Sequence, residues 1–461
     1  MRQEKDSLGT LELPDDAYYG IQTLRAVQNY PISGLRAHPT FLRAYALLKK
    51  ACARANERAG VLKPDLSKLI QDVCDEIIEG GLRDQFVVDV FQAGAGTSTN
   101  MNLNEVIANR ALEKSGAKRG EFEKISPNDH VNMSQSTNDT FPTAMRLGAL
   151  LLLQERLFPA METLRLSFFT KAAEFADAVK SGRTHLQDAV PITLGQEFGA
   201  WTSMMIRHTK RLKGAEHDLS FLGIGGSAAG SGLNTPVGYS GFVVEELRAM
   251  TGLDVKESVD LFEAMESLAP FVHLMSGIKN LALDIIKISG DLRLLCSGPM
   301  TGLAEITLPP VQPGSSIMPG KVNPSILEMV SQVAMQVVGC ETTVSYASQG
   351  GQLELNVMMP VVQFNIAFAI EIFSNALEVM AAKCIDGIVC DRERMRHYAE
   401  SSGSLVTALA PEIGYMKAAE IGKESLKTRR SIRQIVLEQG LMDERKLNEV
   451  LDIEKMTKGG G

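Results

Sequence analysis

Residues 274–295 read LMSGIKNLALDIIKISGDLRLL. Aliphatic side chains recur there in steps of four and three, at Leu274, Ile278, Leu281, Ile285, Ile288, Leu292 and Leu295. This spacing predicts a long helix with one continuous apolar seam. Met275, Leu283 and Ile286 widen the apolar surface beyond the seam. We therefore expect this helix to be covered on more than one side, as in the centre of a helical bundle.

The rest of the chain favours a mainly α-helical fold. Apolar residues at helical spacing also run through 143–180, 190–221, 325–347 and 360–385. Alternation of β-branched residues is rare, and one short strand region is possible at 8–20. The expected architecture has long helices that form a central bundle.

Three blocks follow from the distribution of these patterns. We predict an N-terminal, mixed but mainly helical domain at 1–138, a central long-helix domain at 139–390 and a small helical C-terminal domain at 391–461. No repeat of fixed period and no low-complexity linker separates the blocks, so they are expected to pack as one body. The glycine tail at 459–461 is expected to fray.

Composition and charge exclude several classes of function. The 461 residues carry 47 Lys+Arg against 55 Asp+Glu, a formal net charge of −8, so no basic field exists to hold nucleic acid. The opening MRQEKDSLGTLELPDD lacks the apolar core of a signal peptide, and no segment predicts a membrane span. We expect a cytoplasmic protein that acts on a small molecule, without a membrane or nucleic acid as partner.

Cysteine and histidine spacing does not indicate a metal site. The six cysteines lie at 52, 74, 296, 340, 384 and 390 without a CxxC pair, and the seven histidines form no HExxH motif. The cysteines are interpreted as buried thiols in a reducing compartment. No metal ligand is predicted.

Small polar residues interrupt the helical pattern in four segments, which we call the polar islands. They cover 94–102, 132–139, 182–188 and 314–324. Any one of them alone is explained by helix caps and turns. Together they supply hydroxyls, amides and helix-terminal N–H groups, with Lys321 in one and Thr184-His185 in another, and so favour a pocket for carboxylates. In the fourth island, glycines flank two serines and a lysine, which predicts a mobile catalytic loop.

These segments resemble the aspartase/fumarase superfamily. GSSIMPGKVNP at 314–324 matches the signature of that superfamily, and the segments that begin at Gly96 (GTSTNMN), His130 (HVNMSQSTND), Gly182 (GRTHLQDAVP) and Gly230 (GSGLNTP) resemble it in the same order. The likeness covers nearly the whole chain. It implies a homotetramer whose long helices form one bundle, with each active site assembled from loops of three subunits. It also implies trans elimination beside a carboxylate, without a required cofactor; non-essential activation by a divalent cation stays open.

The resemblance also assigns roles to residues. Ser315 would be the base that removes a proton from the carbon beside a carboxylate, which turns that carboxylate into an aci-carboxylate dianion. Donors to the dianion would be Thr97, Ser136, Thr137 and Ser316, and the other carboxylate would be held by Thr184, Lys321 and Asn323. Asn138 and His185 would lie beside the leaving group, with Glu328 as the carboxylate partner of His185. An alternative makes His185 the base; we favour Ser315 because its loop can close over substrate and exclude water.

Two branches of the superfamily differ in whether ammonia or water leaves. GAGTSTN at 94–100, STN at 136–138 and GGQLELNVMMP at 350–360 resemble aspartases, and Ser126 stands where fumarases often carry a histidine. In contrast, DTFPTAM at 139–145 is closer to fumarases, and Met359 departs from the Glu usual in aspartases. We predict elimination of ammonia from L-aspartate to give fumarate, a step of amino acid metabolism, with class II fumarase as the alternative.

Two interpretations from other classes are weaker. The superfamily includes relatives reused as lens structural proteins, but the residues of the resemblance are intact here. GIGGSAAGSG at 223–232 could suggest nucleotide binding. It is interpreted as a tight loop between helices, because we expect no strand before it and no acidic residue follows at dinucleotide spacing.

Overall fold

A computed structural model describes residues 1–458 and confirms the mainly α-helical fold. The chain forms two compact units: one holds Met1–Pro159, His208–Leu283 and Val333–Asn375, and the other holds Ala160–Arg207, Asp284–Gln332 and the chain from Ala376 onward. The domain boundaries at 138 and 390 stay a prediction. The glycine tail at 459–461 lies outside the described residues.

Helices account for most of the described chain. In order they are α1 Ile21–Asn29, α2 Pro39–Arg58, α3 Pro64–Ile78, α4 Thr97–Lys114, α5 Thr137–Leu152, α6 Phe158–Glu174, α7 Leu194–Leu219, α8 Tyr239–Thr251, α9 Leu261–Glu266, α10 Ala269–Leu295, α11 Ser325–Ser348, α12 Met359–Lys383, α13 Arg392–Ser401, α14 Val406–Ile413, α15 Tyr415–Thr428, α16 Ile432–Glu438, α17 Glu444–Val450 and α18 Ile453–Met456. A π-helical turn, Leu153–Leu157, joins α5 to α6.

The strands are short and form two-stranded sheets. They are β1 Arg2–Asp6, β2 Gly9–Leu13, β3 Val179–Thr184, β4 Gln187–Thr193, β5 Phe221–Leu222, β6 Lys256–Glu257, β7 Ile306–Thr307 and β8 Val389–Cys390. β1 pairs with β2, β3 with β4 and β7 with β8 in antiparallel fashion, whereas β5 and β6 are parallel. The strand region expected at 8–20 is confirmed only for β2; its partner β1 begins earlier in the chain.

The apolar seam at 274–295 is the buried side of α10. Leu274, Ile278, Leu281, Ile285, Ile288 and Leu292 have no exposed surface. α7 and α11 lie alongside: a Cβ on Gly277 would come 2.9 Å from Leu212, and Lys279 Nζ lies 2.8 Å from a carboxylate oxygen of Glu341. The second apolar stripe is only partly covered within the chain, because Met275 is buried but Leu283 is 49 % exposed.

α12 is the most apolar of the long helices. The segment Met359–Gly387 is long and apolar enough to cross a membrane by length and composition alone, with a mean hydropathy of 1.3. However, 61 % of its most apolar window is buried inside the fold, and Ile370, Phe373 and Leu377 are completely buried. A buried core helix of a protein without membrane spans meets the same criterion, so this segment is weak evidence for a membrane helix.

The C-terminal helices share a core with the β3–β4 hairpin. Its buried members are Val179, Ala399, Leu405, Leu409, Ala418, Ile421, Ile432, Ile435, Val436, Leu447, Leu451 and Ile453. Val179 is the first residue of β3, so this core anchors one end of the hairpin. The helical patterns expected at 143–180 and 190–221 are wrong at their facing ends, because residues 179–193 form this hairpin instead.

Candidate active site

The first polar island turns the chain sharply into α4. Ala95 and Gly96 both have left-handed backbones, with φ of +58° and +85°, and a Cβ on Gly96 would lie 2.1 Å from the ring of Phe141. Thr97, the first residue of α4, is exposed and borders a cavity of about 590 Å³. Ala95 N–H donates to the carbonyl of Val357 at 3.0 Å. The two segments that most resemble aspartases, 94–100 and 350–360, are therefore in contact.

The second island is the N-terminal cap of α5. Ser136 Oγ accepts the N–H of Asn138 at 3.2 Å, and the Asp139 carboxylate accepts the N–H of Ser136 at 3.0 Å. This capping box satisfies two of the N–H groups that a helix start leaves without partners. Ser136 still has its hydroxyl proton to donate. Thr137 and Asn138 follow as the first two residues of the helix.

Asp139 also ties the second island to the glycine-rich loop at 223–232. Its other carboxylate oxygen accepts the N–H groups of Gly225 at 3.1 Å and Ser227 at 3.0 Å, and Asn138 Nδ2 donates to the carbonyl of Ala228 at 2.8 Å. Burial raises the pKa of Asp139 to about 6. The expectation that no strand precedes this loop is wrong, since β5 ends at Leu222. Two backbone N–H groups of this loop nevertheless donate to a protein carboxylate, whereas those of a phosphate-binding turn donate to the ligand.

A buried amide network orients Thr137. Asn100 Nδ2 donates to Thr137 Oγ1 at 2.9 Å and to Asn132 Oδ1 at 3.2 Å. Asn132 Oδ1 also accepts from Lys49 Nζ at 3.0 Å, and the same ammonium donates to Gln135 Oε1 at 2.9 Å. Lys49 is completely buried, and burial lowers its pKa to about 8. The island therefore rests on a cation that has amide acceptors.

Sequence reasoning missed Lys49. The signal was present in α2, where Phe41, Tyr45, Lys49 and Cys52 follow one another in steps of four, four and three and all are buried. A lysine on the apolar stripe of a helix is almost never fully buried unless its charge has partners. Those partners come from a segment more than eighty residues further along the chain, so helical spacing alone could not identify them.

The third island is the turn of the β3–β4 hairpin. Thr184 pairs with Gln187, and the two residues between them, His185 and Leu186, have φ of +56° and +58°. Positive φ at both positions is the geometry of the two-residue hairpin turn that fits the twist of antiparallel strands. Thr184 and His185 are exposed at the tip. The two-residue turn of the hairpin therefore exposes both side chains to solvent.

The two ends of the fourth island are held together by a hydrogen bond. Asn323 Nδ2 donates to the carbonyl of Gly314 at 2.7 Å, and a Cβ on Gly314 would lie 2.1 Å from the carbonyl oxygen of Lys321. Ser315 Oγ accepts the N–H groups of Ile317 at 3.3 Å and Met318 at 3.1 Å. Two N–H dipoles directed at this oxygen would stabilise negative charge on it.

The remaining residues of this island face solvent, and its neighbour Glu328 is engaged elsewhere. Ser316 and Lys321 are exposed on the loop. Glu328 lies in the first turn of α11, where its carboxylate is 3.9 Å from the guanidinium of Arg293. The pairing of Glu328 with His185 stays a prediction.

The two units each carry part of the predicted set. The first unit holds Thr97, Ser136, Thr137 and Asn138; the second holds Thr184, His185, Ser315, Ser316, Lys321, Asn323 and Glu328. Within residues 1–458, no group of three or more His, Cys, Asp and Glu side chains is arranged to hold a metal ion. Four of the six cysteines are buried free thiols, whereas Cys296 and Cys390 are half-buried.

Comparison with known proteins identifies the family. A lyase family model matches residues 9–339, and a model of the fumarase C C-terminus matches residues 405–458. The chain belongs to this lyase family. An aspartate ammonia-lyase from Bacillus sp is 46 % identical over 460 residues, which cover 100 % of this chain and 98 % of that protein.

Solved structures of lyases have the same fold as this chain. The cobalt-bound fumarate lyase:delta crystallin from Brucella melitensis superposes with a TM-score of 0.96 at 46 % identity, over 99 % of both chains. The class II fumarase from Schistosoma mansoni superposes with a TM-score of 0.94 at 33 % identity, also over 99 % of both chains. The resemblance read from the polar islands is confirmed at the level of the family.

Burial of Lys49 predicts an unusual pH dependence of stability. Because the pKa of Lys49 is lowered from 10.5 to about 8, the folded chain binds fewer protons than the unfolded chain between these values. Stability contributed by this residue must therefore rise with pH across that window. The free energy of unfolding of the wild type, minus that of Lys49→Met, should increase between pH 8 and pH 10.5 in urea titrations.

The matched control is Lys68→Met. Lys68 is exposed, pairs with Asp72 at 2.7 Å, and has a raised pKa, so its removal should give no such rise. A difference that stays flat for Lys49→Met would show that this ammonium is hydrated in the folded protein.

Proposed function

We propose that the chain catalyses the reversible trans elimination of ammonia from L-aspartate to give fumarate. The observation that carries this proposal is the full-length similarity to aspartate ammonia-lyase at 46 % identity. The segments 94–100 and 350–360, which distinguish aspartases from fumarases, support it further, and they are in contact through Ala95 and Val357.

The chemistry explains why polar islands without much net charge suit this reaction. A C–H group beside a carboxylate is a very weak acid, because removal of its proton turns that carboxylate into a dianion. Donors that bind the dianion more strongly than the ground state lower the barrier. We assign this task to the hydroxyls of Thr97, Ser136, Thr137 and Ser316 and to N–H groups at the helix starts.

Ser315 is the general base in this proposal. Its oxygen takes the proton from the substrate carbon, and the electron pair of that C–H bond passes into the neighbouring carboxylate to give the dianion. The pair then forms the new C=C bond as the C–N bond of the protonated amine breaks, and its electrons leave with neutral ammonia. A serine can act in this way only when its alkoxide is stabilised. The N–H groups of Ile317 and Met318 supply two donors to Oγ, and Lys321 on the same loop supplies positive charge.

The other assignments place the rest of the substrate. Thr184, Lys321 and Asn323 bind the carboxylate that does not become a dianion. Asn138 and His185 lie beside the departing ammonia, and Glu328 is the carboxylate partner of His185. We assign no cofactor to the reaction; activation by a divalent cation would be non-essential.

We also propose a cytoplasmic homotetramer in which three subunits share each active site. The long helices leave apolar side chains uncovered in the single chain: Ile206 of α7 is 53 % exposed, Leu283 of α10 49 % and Met335 of α11 60 %. Large apolar side chains in this number are typical of surfaces that bury against another subunit.

A class II fumarase is the second candidate. It is favoured by the 0.94 TM-score to the Schistosoma mansoni fumarase and by DTFPTAM at 139–145, which is closer to fumarases. The identity of 33 % to that protein is lower than the 46 % to aspartate ammonia-lyase, so we rank ammonia above water as the leaving group.

The substrate preference tests the proposal directly. L-aspartate should be deaminated far faster than L-malate is dehydrated, because the pocket is assigned to an ammonium leaving group. Ultraviolet absorbance of fumarate reports both reactions in the same assay. If malate were the better substrate by about tenfold or more in kcat/KM, fumarase would replace aspartase.

The identity of the base has its own test in three variants. Ser315→Ala removes the base but keeps Thr184, Lys321 and Asn323, so kcat should fall by about 10² to 10⁴ while substrate affinity changes little. Ser316→Ala removes one donor to the dianion, for which about 10² to 10³ is the comparable scale. His185→Ala should impair turnover without abolishing it.

The order of the losses decides between the two candidate bases. Steady-state kinetics on the three variants give that order. Near-normal kcat in Ser315→Ala together with complete loss in His185→Ala would make the histidine the base.

A further inference from the structure

A completely buried carboxylate lies between two cations in the second unit. Glu305 has no exposed surface; one of its oxygens is 3.0 Å from Lys180 Nζ and the other is 2.8 Å from a guanidinium nitrogen of Arg183. Neither contact is aligned as a hydrogen bond, so the attraction is mainly between charges. We call Lys180, Arg183 and Glu305 the buried ion cluster.

Both cations of the cluster belong to β3, beside a β-bulge in the pairing with β4. Lys180 and Arg183 are three residues apart on β3, and side chains at that separation on a regular strand point to opposite faces. The pairing register of β3 with β4 shifts between Ser181 and Arg183. The extra residue lies on β4, because the step from Ser181 to Arg183 covers two residues while the step between their partners Pro191 and Asp188 covers three. Glu305 reaches both cations because each of its two oxygens faces one of them.

Gly182 makes this bulge possible. A Cβ on Gly182 would lie 2.8 Å from the carbonyl oxygen of Val190 on the paired strand. A side chain at 182 would therefore push the strands apart at the bulge. The close approach of the two strands beside Arg183 therefore explains the glycine of the GRTHLQ segment.

Glu197, outside the cluster, supplies the second carboxylate that balances its two cations. Lys180 Nζ also donates to Glu197 of α7 at 2.8 Å, so two cations face two carboxylates. Removal of one partner from a buried ion pair leaves an uncompensated charge and costs much more than the pair contributes. Glu197 is less buried than Glu305, with 27 % of its side chain exposed.

The cluster lies at the root of both loops that carry the predicted chemistry of this unit. Arg183 directly precedes Thr184 and His185 at the hairpin tip. Glu305 directly precedes β7, after which the chain enters the segment with Ser315. Its carbonyl accepts the N–H of Asp391 at 2.9 Å, and β7 pairs with β8, so the backbone of Glu305 is fixed as well.

We infer that Glu305 is a positioning residue: its carboxylate holds Arg183 at the root of the His185 hairpin, and its fixed backbone begins the segment that leads to Ser315. The inference rests on the proposed function, because it assumes that His185 and Ser315 act in that reaction, each in the active site that its loop helps to form. Misplacement of reacting groups by about 1 Å can cost about 10²-fold in rate. Loss of this positioning should therefore appear in the chemical step.

The test compares variants that disturb the same cluster in different places. Glu305→Gln keeps shape but removes the charge that Arg183 faces, and Arg183→Met removes the cation. Each should lower kcat for L-aspartate by about 10- to 100-fold in protein that is folded by circular dichroism and gel filtration. Arg183→Lys keeps the positive charge, so its kcat should be at least about threefold higher than that of Arg183→Met.

The matched control is Glu197→Gln, which takes a carboxylate from Lys180 but leaves Arg183–Glu305 intact. Urea midpoints are measured for all four variants, because a purely structural role predicts that kcat follows the midpoint. We expect Glu197→Gln to lose stability but keep kcat within about threefold of the wild type. Should Glu305→Gln not fold, the two Arg183 variants carry the same comparison.

Two results would overturn the inference. One is a kcat within about threefold of the wild type in folded Glu305→Gln and Arg183→Met. The other is an equal loss of kcat in Glu197→Gln, which would assign the effect to stability. An inactive wild type with L-aspartate would instead contradict the proposed function, so the two failures are distinguishable.

Discussion

The completely buried aliphatic seam of α10 determines where polar chemistry can occur in this chain. From Leu274 to Leu292, each seam residue has no exposed surface, so hydrated side chains have no room along that side of the helix. The hydroxyls, amides and the lysine of the predicted site are found instead at helix starts, in a hairpin turn and in the loop before α11. Helix starts offer unpaired N–H groups and a positive dipole end, which suit carboxylates.

The second and third polar islands each depend on buried charges. Asp139 collects three backbone N–H groups and joins the start of α5 to the glycine-rich loop. Lys49 lies beneath Asn132 and Gln135, and Glu305 holds Arg183 beside the hairpin tip. A buried charge is costly unless its partners are in place. Such groups therefore fix backbone segments more sharply than apolar contacts, which tolerate small shifts.

The long helices were predictable because their periodicity is local. The pattern at 325–347 is realised as α11, Ser325–Ser348, and the pattern at 360–385 as α12, Met359–Lys383. The hairpin at 179–193 was missed because the apolar patterns on both sides continue into it. Its positive-φ turn and its packing on the C-terminal core favour a hairpin over a helix. Neither feature is visible in apolar spacing.

The loop residues of the candidate site were predictable from the sequence, but the buried charges that support them were not. The motifs of the four islands named the loop residues because their likeness to a known family is long. Lys49 and Glu305 act through partners far along the chain: Lys49 contacts residues 132 and 135, and Glu305 contacts residues 180 and 183. Such long-range charge contacts depend on the folded geometry, since no spacing rule links residues so distant in sequence.

The choice of ammonia over water as the leaving group can be measured in the reverse reaction. ¹³C-labelled fumarate, incubated with the protein and ammonium in water, offers both possible nucleophiles to the same site at once. ¹³C NMR then distinguishes the two products by the chemical shift of the carbon that gains nitrogen or oxygen. We expect aspartate to form and malate not to accumulate. Malate as the main product would show that water, not ammonia, is the leaving group.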